Sequence, residues 1–431
     1  MITDRTGPQD HVTSTRDKSV LAVRAGRAFD GRAAVPGGAL VLCVGSRIIG
    51  VEPSATRAPA GWPVAEFPNA TVLPGLIDCH VHLCGDSRNG ALDRLAGYSD
   101  PELDQVIEAA LRAQLHAGVT TVRDLGDRQW AVLNWRQRAT AVLFSPTIVA
   151  SGPPITTRGG HCWHLGGQAD SPDELRGAVR QRAERGADVI KVMASGGVMT
   201  AGTDVLACQY SLEQLRAVVD EAHARGLAVT THAHGLPAVV QAVDAGADGI
   251  EHCSCLTEHG IEQPGPLLER IAANKIIVCP TMGKVPGVRP PAGVAAMTQR
   301  TGTTWETRQA MTARLHRAGV TLVSGVDAGI SDGKPHGILA LAIADLVAAG
   351  IPAGYALASA TSLAAEACGL SGRKGLLRAG YDADLIVVDG DPLTDIRALD
   401  SVRAVYVHGQ AVPPEAAAIP AATSGSDSHS Q

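Results

Sequence analysis

Two histidines, His80 and His82, flank a single valine at the end of an apolar segment that reads LPGLIDCHVHL. Successive side chains of a strand point to opposite faces, so both imidazoles and the carboxylate of Asp78 are expected on one face. Neutral imidazole is a common ligand of zinc and similar metals, and a ligating histidine usually has a hydrogen-bond acceptor behind it. The alternative is a pair of satisfied core histidines. The spacing predicts part of a metal site, whose other ligands must come from elsewhere in the chain.

The middle of the chain alternates between apolar strand candidates and amphipathic helices. Strands are predicted to begin near Leu76, Val119, Thr147, Val189, Val229, Gly249, Ile277 and Thr321. The intervening helices include SPDELRGAVRQRAERG and SLEQLRAVVDEAHARG, which open with serine and acidic residues and close with arginine and glycine. Eight strands that alternate with helices predict an α/β fold, a (β/α)8 barrel of the TIM type.

Short strand-like segments stand on both sides of this alternating region. LAVRAG, ALVLCVG and RIIGV precede it, and DADLIVVDGDP and VRAVYVHGQAV follow it. We expect residues 18–75 and 371–415 to form one small β-sandwich domain, next to a catalytic barrel of residues 76–370. The polar residues 1–17 and 416–431 are expected to be disordered tails.

Composition argues against several functional classes. The 431 residues carry a net charge of −6, and no basic cluster indicates nucleic-acid binding. No segment approaches the ~20 apolar residues of a membrane span. The polar start lacks the pattern of a signal peptide, and nine cysteines without C-x-x-C spacing indicate reduced thiols. We therefore expect a cytoplasmic protein that binds neither nucleic acid nor membrane.

In a TIM barrel, catalytic residues lie at the carboxyl ends of the strands. The strand ends of this chain carry His80, His82, His232, His234, His252 and Asp327. The fourth strand, ADVIKVMASGG, holds Lys191 inside an apolar run, where a bare ammonium is costly. This lysine could point outward, act as a Schiff-base nucleophile, or react with CO₂ to give a carbamate whose two oxygens bridge two metals. The surrounding histidines favour the carbamate.

These residues resemble the pattern of the metal-dependent amidohydrolase superfamily: an H-x-H motif, a lysine on strand four, histidines on strands five and six, and an aspartate after strand eight. The segments TTVRDLG, GGHCWHLGG, GADVIKVMASGGV and DEAHARGLAVTTHAHG are most similar to one branch. That branch contains Xaa-Pro dipeptidases (prolidases), ochratoxinase-type amidases and proteins described as imidazolonepropionase-like. The resemblance covers nearly the whole chain, and it includes the split β domain, the LPGLID segment that enters the barrel and the GLLRAGYDADLIVVDGDPL segment that leaves it.

The resemblance implies a binuclear metal centre, usually with zinc. The ligands implied for the more buried metal are His80, His82, carboxylated Lys191 and Asp327, and those for the second metal are the same carbamate, His232 and His252. Two such metals can activate a bridging water to hydroxide and polarise a carbonyl. Asp327 would then act as general base and general acid. The expected reaction is hydrolysis of the amide bond of a dipeptide or an N-acyl amino acid-like small molecule.

Substrate contacts are predicted in the loops that follow the strands. The resemblance matches His161 to a family histidine that hydrogen-bonds the substrate carbonyl, and Tyr210 to a residue that touches the carboxylate end of the substrate. By residue type, Arg158 could bind a terminal carboxylate, Trp163 could form an apolar wall, and His336 could face the pocket. Ordinary loop packing is the alternative for each of them.

The chain also departs from the family pattern. His234 matches no family ligand, and Cys162 stands where the motif usually has glycine. Further cysteines lie close to the ligand positions: Cys79, Cys84, Cys253 and Cys255. We expect these thiols to pack as small apolar groups rather than to bind metal.

Three other functions remain open. A mononuclear deaminase or an imidazolone hydrolase of cyclic amidines would keep the H-x-H motif but lack the bridging lysine. An esterase, lactonase or phosphotriesterase could use the same two-metal centre. A barrel that only binds a ligand would typically have lost metal ligands, and here every expected position is filled. Because relatives are often oligomeric, we expect a homo-oligomer that acts on a small molecule.

Overall fold

The computed structural model describes residues 19–138 and 144–414, and within these ranges the fold is mixed α/β. The predicted tails, residues 1–17 and 416–431, lie outside the described residues. None of the helices in the described ranges combines the length and the apolar character that a membrane span requires.

The described chain begins with five strands: β1 (Val20–Phe29), β2 (Ala34–Val35), β3 (Ala39–Val44), β4 (Arg47–Pro53) and β5 (Val64–Pro74). The strands that follow are β6 (Leu76–Val81), β7 (Val119–Asp124), β8 (Thr147–Ala150), β9 (Val189–Met193), β10 (Ala228–Gly235), β11 (Gly249–Thr257), β12 (Gly260–Ile261) and β13 (Ile277–Cys279). The last three are β14 (Leu385–Asp389), β15 (Val402–Val407) and β16 (Gln410–Ala411).

Helices separate most of the middle strands. The first six are α1 (Ala91–Arg94), α2 (Asp100–His116), α3 (Ala131–Arg138), α4 (Pro172–Glu184), α5 (Leu212–Ala224) and α6 (Leu236–Ala245). The other six are α7 (Gly265–Ala273), α8 (Ala292–Thr301), α9 (Trp305–Arg317), α10 (Leu339–Ala348), α11 (Ala353–Ala358) and α12 (Ser362–Ala367).

The two helices singled out in the sequence, α4 and α5, are confirmed with their predicted ends. Ser171 caps α4 by accepting the backbone N–H of Glu174, whose carboxylate accepts the backbone N–H of Ser171 in return. Ser211 caps α5 in the same way. Just beyond the helices stand Gly186 and Gly226, with φ of 78° and 69°. Such left-handed backbone suits glycine, so local sequence alone ends both helices.

Seven of the middle strands pair in parallel, in chain order, whereas the short β12 pairs antiparallel with β11. β6, β7 and β8 form one run of parallel pairs, and β9, β10, β11 and β13 form another. Isolated parallel bridges join the remaining neighbours: Ile155 to Val192, Val278 to Leu322, and Val81 to Ala328. The eighth predicted strand, near Thr321, is therefore not a regular strand but a segment held by single bridges on both sides. Traced from one strand to the next, the parallel pairs and bridges start at β6 and return to it.

The two ends of the chain share one eight-stranded sheet, ordered β16-β15-β14-β5-β1-β3-β4 with β2 against β1. β14 shows how both faces of this sheet are buried. Leu385 and Val387 belong to a local apolar cluster within the terminal strands, whereas Ile386 and Val388 pack into the main core. This alternation follows from the two-residue period of a strand.

Candidate active site

The predicted metal-binding side chains line one cavity of about 340 Å³. They are His80, His82, Lys191, His232, His252 and Asp327, and His161 and His234 line the same cavity. Most of these residues lie at or just after the carboxyl ends of parallel strands that run in the same direction, so their side chains meet at one end of the strands. The structure thus brings together residues that lie up to 247 positions apart in sequence (327 − 80 = 247).

Asp327 lies against the H-x-H motif. Its Oδ1 is 3.1 Å from Nε2 of His82 and 3.4 Å from Nε2 of His80. Its φ of 66° is unusual for a residue with a Cβ, and such strained backbone is typical of functional sites. Asp78, which shares a strand face with both histidines, instead accepts backbone N–H groups of His80 and Val326. Asp78 therefore ties strand β6 to the segment before Asp327 and does not support an imidazole.

The other ring nitrogens of the H-x-H pair are held by acceptors. Nδ1 of His80 lies 2.8 Å from Oε2 of Glu251, and Nδ1 of His82 lies 3.0 Å from the carbonyl oxygen of Gly126. A carboxylate and a carbonyl only accept, so we assign the proton of each ring to Nδ1. Each Nε2 then keeps a free lone pair, which is the form that binds a metal.

The histidines of β10 and β11, His232 and His252, are held through different ring nitrogens. Nδ1 of His252 lies 2.8 Å from the hydroxyl of Thr281, whereas it is Nε2 of His232 that lies 3.2 Å from the carbonyl oxygen of Gly196. His252 therefore offers Nε2 to the cavity, and His232 offers Nδ1. His252 also has a positive φ, 67°, at the point where β11 reaches the site.

His234, which matched no family ligand, lies beside these two histidines. Ligating atoms of His232, His234 and His252 all lie within 4.8 Å of one another, and so do those of His80, His252 and Asp327. The His234 ring stacks on that of His252, with 4.3 Å between centroids and 19° between planes. Burial lowers the pKa of His234 to about 3, so its ring is neutral at pH 7.

Lys191 is 1% exposed, and its Nζ is buried without a hydrogen-bond partner in the described structure. Burial lowers the pKa of this amine, because a charged ammonium is poorly solvated there. The amine lies in the same cavity lining as the histidines and Asp327. A buried amine without a partner among the predicted metal-binding side chains fits the predicted carbamate.

The imidazoles are mostly neutral. Burial, helped by the nearby Lys191 amine, lowers the pKa of His80 to about 4, and burial lowers that of His161 to about 3. Burial and the neighbouring imidazoles lower the pKa of His232 and His252 well below the usual value. A cluster of neutral rings can accept a cation without first losing protons.

The Asp327 carboxylate is the negative charge of the site. Burial alone would raise its pKa, but the rings of His80 and His82 outweigh burial and hold that pKa below its usual range. The reciprocal effect appears at His82, where burial alone would lower the pKa and the contact with Asp327 raises it. Asp327 is therefore ionised at pH 7, which suits a metal ligand and a proton acceptor.

Glu251 and Arg123 are supporting residues that the sequence did not reveal. Glu251 accepts hydrogen bonds from Arg123 Nη2 at 2.9 Å and from the hydroxyl of Thr230 at 2.6 Å, while its other oxygen contacts His80. Strand alternation predicts that Glu251 and its neighbour His252 face opposite ways. The left-handed φ of His252 breaks this alternation, so both side chains reach the same cluster. The sequence signal that could have identified Glu251 is its position directly before the predicted ligand His252.

His161 reaches the cavity, whereas Tyr210 does not. Nδ1 of His161 lies 3.0 Å from the hydroxyl of Thr200, and its ring centroid lies 4.6 Å from that of His232. Tyr210 is buried and donates its hydroxyl to the carbonyl oxygen of Ala169 at 2.8 Å, outside the cavity lining. Of these two candidates, only His161 lines the cavity.

The other three substrate-contact candidates also lie outside the cavity lining. Arg158 forms ion pairs with Asp170 and Glu174 at 2.6 and 2.9 Å. Trp163 is 45% exposed on the surface, and His336 hydrogen-bonds a backbone carbonyl beside the H-x-H loop. Each of them has the loop packing that the sequence left open as the alternative.

The cysteines near the ligands pack mostly into apolar clusters. Cys79, Cys84, Cys253 and Cys255 are buried free thiols that do not line the cavity. Cys162 does line the cavity, and its Sγ lies 3.6 Å from Nε2 of His161. Cys162 therefore shapes the wall beside His161.

Comparison with known proteins identifies similar chains. The sequence profile of the Amidohydrolase family matches residues 71–412. An ochratoxinase of Aspergillus niger is 29% identical over 371 residues, covering 78% of this chain and 73% of that protein. A crystal structure of a Xaa-Pro dipeptidase with methionine in its active site superposes with a TM-score of 0.80 at 26% identity, over 91% of this chain and 100% of the other. A prolidase in complex with N-methylphosphonate-L-proline gives 0.78 at 27% identity, over 91% and 99%.

Proposed function

Because this chain belongs to the amidohydrolase family and is thereby a hydrolase of amide or peptide bonds, we propose that it cleaves the amide bond of a small molecule at a centre of two divalent metals. The observation that carries this proposal is the convergence of the predicted ligands around the orphaned amine of Lys191. Zinc is the proposed metal, since imidazole and carboxylate donors suit it. Nine free thiols favour a reducing, cytoplasmic setting, and we propose a homo-oligomer by analogy with the family.

We propose that the fold is a closed (β/α)8 barrel of residues 76–370, with a small β-sandwich domain of residues 18–75 and 371–415. The support for a barrel is the parallel pairing that leaves β6 and returns to it. The support for a separate domain is the apolar cluster that the terminal strands share among themselves.

The proposed ligands of one metal are His80, His82, the carbamate of Lys191 and Asp327, and those of the other are His232, His252 and the same carbamate. When bound, two divalent cations lower the pKa of a water and polarise the scissile carbonyl. The Lys191 amine suits carbamate formation because burial favours its neutral form, which is the nucleophile towards CO₂. The carbamate of Lys191 would carry a negative charge, which offsets the positive charge of the cations that the site would hold.

Two residues have proposed roles in moving protons and orienting the substrate. The ionised Asp327 accepts the proton of the attacking water and passes it to the nitrogen of the scissile amide. That nitrogen needs the proton because an amide anion is a very poor leaving group. At His161, the hydroxyl of Thr200 accepts the backbone N–H of Cys162 and can donate to Nδ1. That arrangement leaves an N–H on Nε2 of His161, which can donate to the substrate carbonyl.

Hydrolysis by the zinc-loaded protein tests this proposal. We expect amine release from members of a panel of N-acyl amino acids and dipeptides, with two zinc ions per chain by elemental analysis. The variant Asp327→Asn should keep its fold by circular dichroism and lose about 10²–10⁴-fold in kcat, the usual contribution of general acid–base catalysis.

The alternatives correspond to distinct results of the same assay. One metal per chain with activity on cyclic amidines would indicate the mononuclear deaminase-type function, and turnover of esters, lactones or phosphotriesters alone would indicate those activities. No turnover together with no bound metal would indicate a binding protein. Unchanged kcat in Asp327→Asn would remove the proton-transfer role of Asp327.

A further inference from the structure

His234 has no place in the ligand set that the family resemblance implies, yet its side chain lines the cavity beside the proposed ligands of the second metal. Building on the proposed two-metal centre, we infer that His234 is a third imidazole ligand of the metal assigned to His232 and His252. That metal would then have three nitrogen donors together with the carbamate of Lys191, which is one protein ligand more than the resemblance implies.

The backbone brings His234 to the same end of the strands as its two neighbours. His232 and His234 are two residues apart in β10, and the parallel neighbour β11 carries His252. The register of this pairing shifts between Ala233 and Gly235, and the backbone N–H of His234 donates instead to the hydroxyl of Ser195 at 3.1 Å. Such irregularities beside a site commonly re-aim one side chain. Here the irregularity falls on His234.

The hydrogen bond of His234 leaves one ring nitrogen available. Its Nδ1 lies 2.9 Å from the hydroxyl of Ser254, which can accept the proton of that nitrogen and so leave Nε2 unprotonated. The same arrangement occurs at His252, whose Nδ1 lies 2.8 Å from the hydroxyl of Thr281. A neutral ring whose second nitrogen is held by an acceptor is the usual form of a metal-ligating histidine.

The spacing of the three rings is close to that of ligands on one metal ion. A ring nitrogen of each histidine lies within 4.8 Å of the others, and of the groups of this kind among the described residues this is the one composed of imidazoles alone. Zinc–nitrogen bonds of about 2.0–2.1 Å in a tetrahedral site place two ligating nitrogens about 3.3 Å apart. The remaining approach is small enough for rotation of the side chains to supply it.

Neighbouring rings also restrict His234 to this position. Its centroid lies 4.3 Å from that of His252, with 19° between the planes, and 4.8 Å from that of His232. Three neutral rings that turn unprotonated nitrogens towards one point bring lone pairs together, and a bound cation would satisfy all three. A site whose ligands are already in place loses little conformational freedom when the ion binds.

The two proposed metal sites would then differ in their donor atoms. The first would have two imidazoles and two oxygen donors, from Asp327 and the carbamate, whereas the second would have three imidazoles and one carbamate oxygen. Imidazole suits zinc, copper and nickel, while carboxylate oxygens suit manganese and magnesium. We therefore expect the second site to discriminate more strongly against manganese than the first.

Zinc affinity in His234→Gln tests the inference without any assay of turnover. Loss of a residue that only supports a ligand typically lowers metal affinity by about 10- to 100-fold, so removal of a direct ligand should raise the Kd of one of the two zinc ions by more than about 100-fold. The Kd of the other zinc ion should change little. Competition with a zinc chelator measures both constants. The ratio of the manganese Kd to the zinc Kd should be larger for the ion that His234→Gln affects.

Two further variants are matched controls for that measurement. His161→Gln removes another imidazole of the same cavity, whose centroid lies 4.6 Å from that of His232, and should leave both zinc affinities nearly unchanged. Ser254→Ala keeps the ring of His234 but removes the hydroxyl beside it, so its effect should stay within the roughly 10- to 100-fold range of a supporting residue. Equal losses in His161→Gln and His234→Gln would overturn the inference.

A crystal structure of the zinc-loaded protein gives the direct readout. We expect Nε2 of His234 at about 2.0–2.1 Å from the zinc that His232 and His252 hold. Two bound zinc ions with His234 on neither of them, or unchanged zinc affinity in His234→Gln, would overturn the inference and leave the proposed function intact. A single zinc held by the three histidines would contradict the two-metal function but support the role of His234. A protein that binds no metal would overturn both.

Discussion

Two lysines of this chain are almost fully buried within the described residues, and their surroundings differ. Lys374, which precedes β14, donates to the carboxylate of Asp384 and lies 3.3 Å from that of Asp382. Lys191, in β9, has no hydrogen-bond partner for its amine. A buried charge is tolerated when it is paired, so Lys374 has a structural role. An amine without a partner is free to react, which is why we assign the chemistry to Lys191.

Among substitutions at the two buried lysines, Lys191→Met is expected to have the largest effect. We expect the variant to fold, to bind fewer than two zinc ions per chain and to lose turnover altogether, because the bridging ligand is gone. Its metal-free form should be at least as stable as the metal-free parent, since the substitution removes a buried polar group that has no partner. Elemental analysis, turnover assays and urea denaturation of the metal-free proteins measure the three effects. Two bound zinc ions in this variant would contradict the role of Lys191.

The matching substitution at the paired lysine should do the opposite. Lys374→Met leaves the carboxylates of Asp382 and Asp384 buried with one fewer cation, so we expect the free energy of unfolding to fall by about 3–5 kcal/mol. Asp382 retains Arg47 and Arg373 as partners, which places most of the cost on Asp384. Turnover per folded molecule should be unchanged. Urea denaturation and active-site titration check the two parts.

Low pH provides the control for that substitution. Burial alone would raise the pKa of Asp384, but Lys374 outweighs it and holds the pKa below the usual value of 3.8. The pair therefore stabilises the parent above about pH 4, and this stabilisation is lost as the pH falls through the lowered pKa. In Lys374→Met, protonation removes the charge of the unpaired carboxylate. The difference in the free energy of unfolding between the parent and Lys374→Met should therefore become smaller below pH 4. If that difference did not depend on pH, lost packing rather than an unpaired charge would explain the lower stability of Lys374→Met.

The sequence predicted the parts of the site that depend on strand order. Parallel strands deliver their last residues to one end, so His80, His232, His252 and Asp327 could be placed together before any coordinates. The resemblance to amidohydrolases added Lys191 as a shared ligand, and the family profile confirmed that resemblance. The placement of the strand-end residues rests on the periodicity of short segments and on the order of the strands, whereas the role of Lys191 rests on the resemblance.

The parts that depend on local backbone irregularity or on long loops could not be predicted. Glu251 joins the site only because His252 has a left-handed φ, which no alternation rule anticipates. Tyr210 was matched through the family resemblance and Arg158 was chosen by residue type, but their loops turn them towards backbone and carboxylate partners. Arg308, which also lines the cavity, lies in a helix that begins 26 residues after β13 ends (305 − 279 = 26), where no local pattern links it to the cavity.

Direct observation of the carbon bound to Lys191 tests the central claim. The zinc-loaded protein would be prepared in bicarbonate labelled with the NMR-active carbon isotope, and the carbamate resonance would be counted against protein concentration. We predict one carbamate per chain, absent in Lys191→Met and retained in Lys374→Met. A parent protein that holds both metals and hydrolyses amides without any carbamate signal, or a signal that survives in Lys191→Met, would contradict the account.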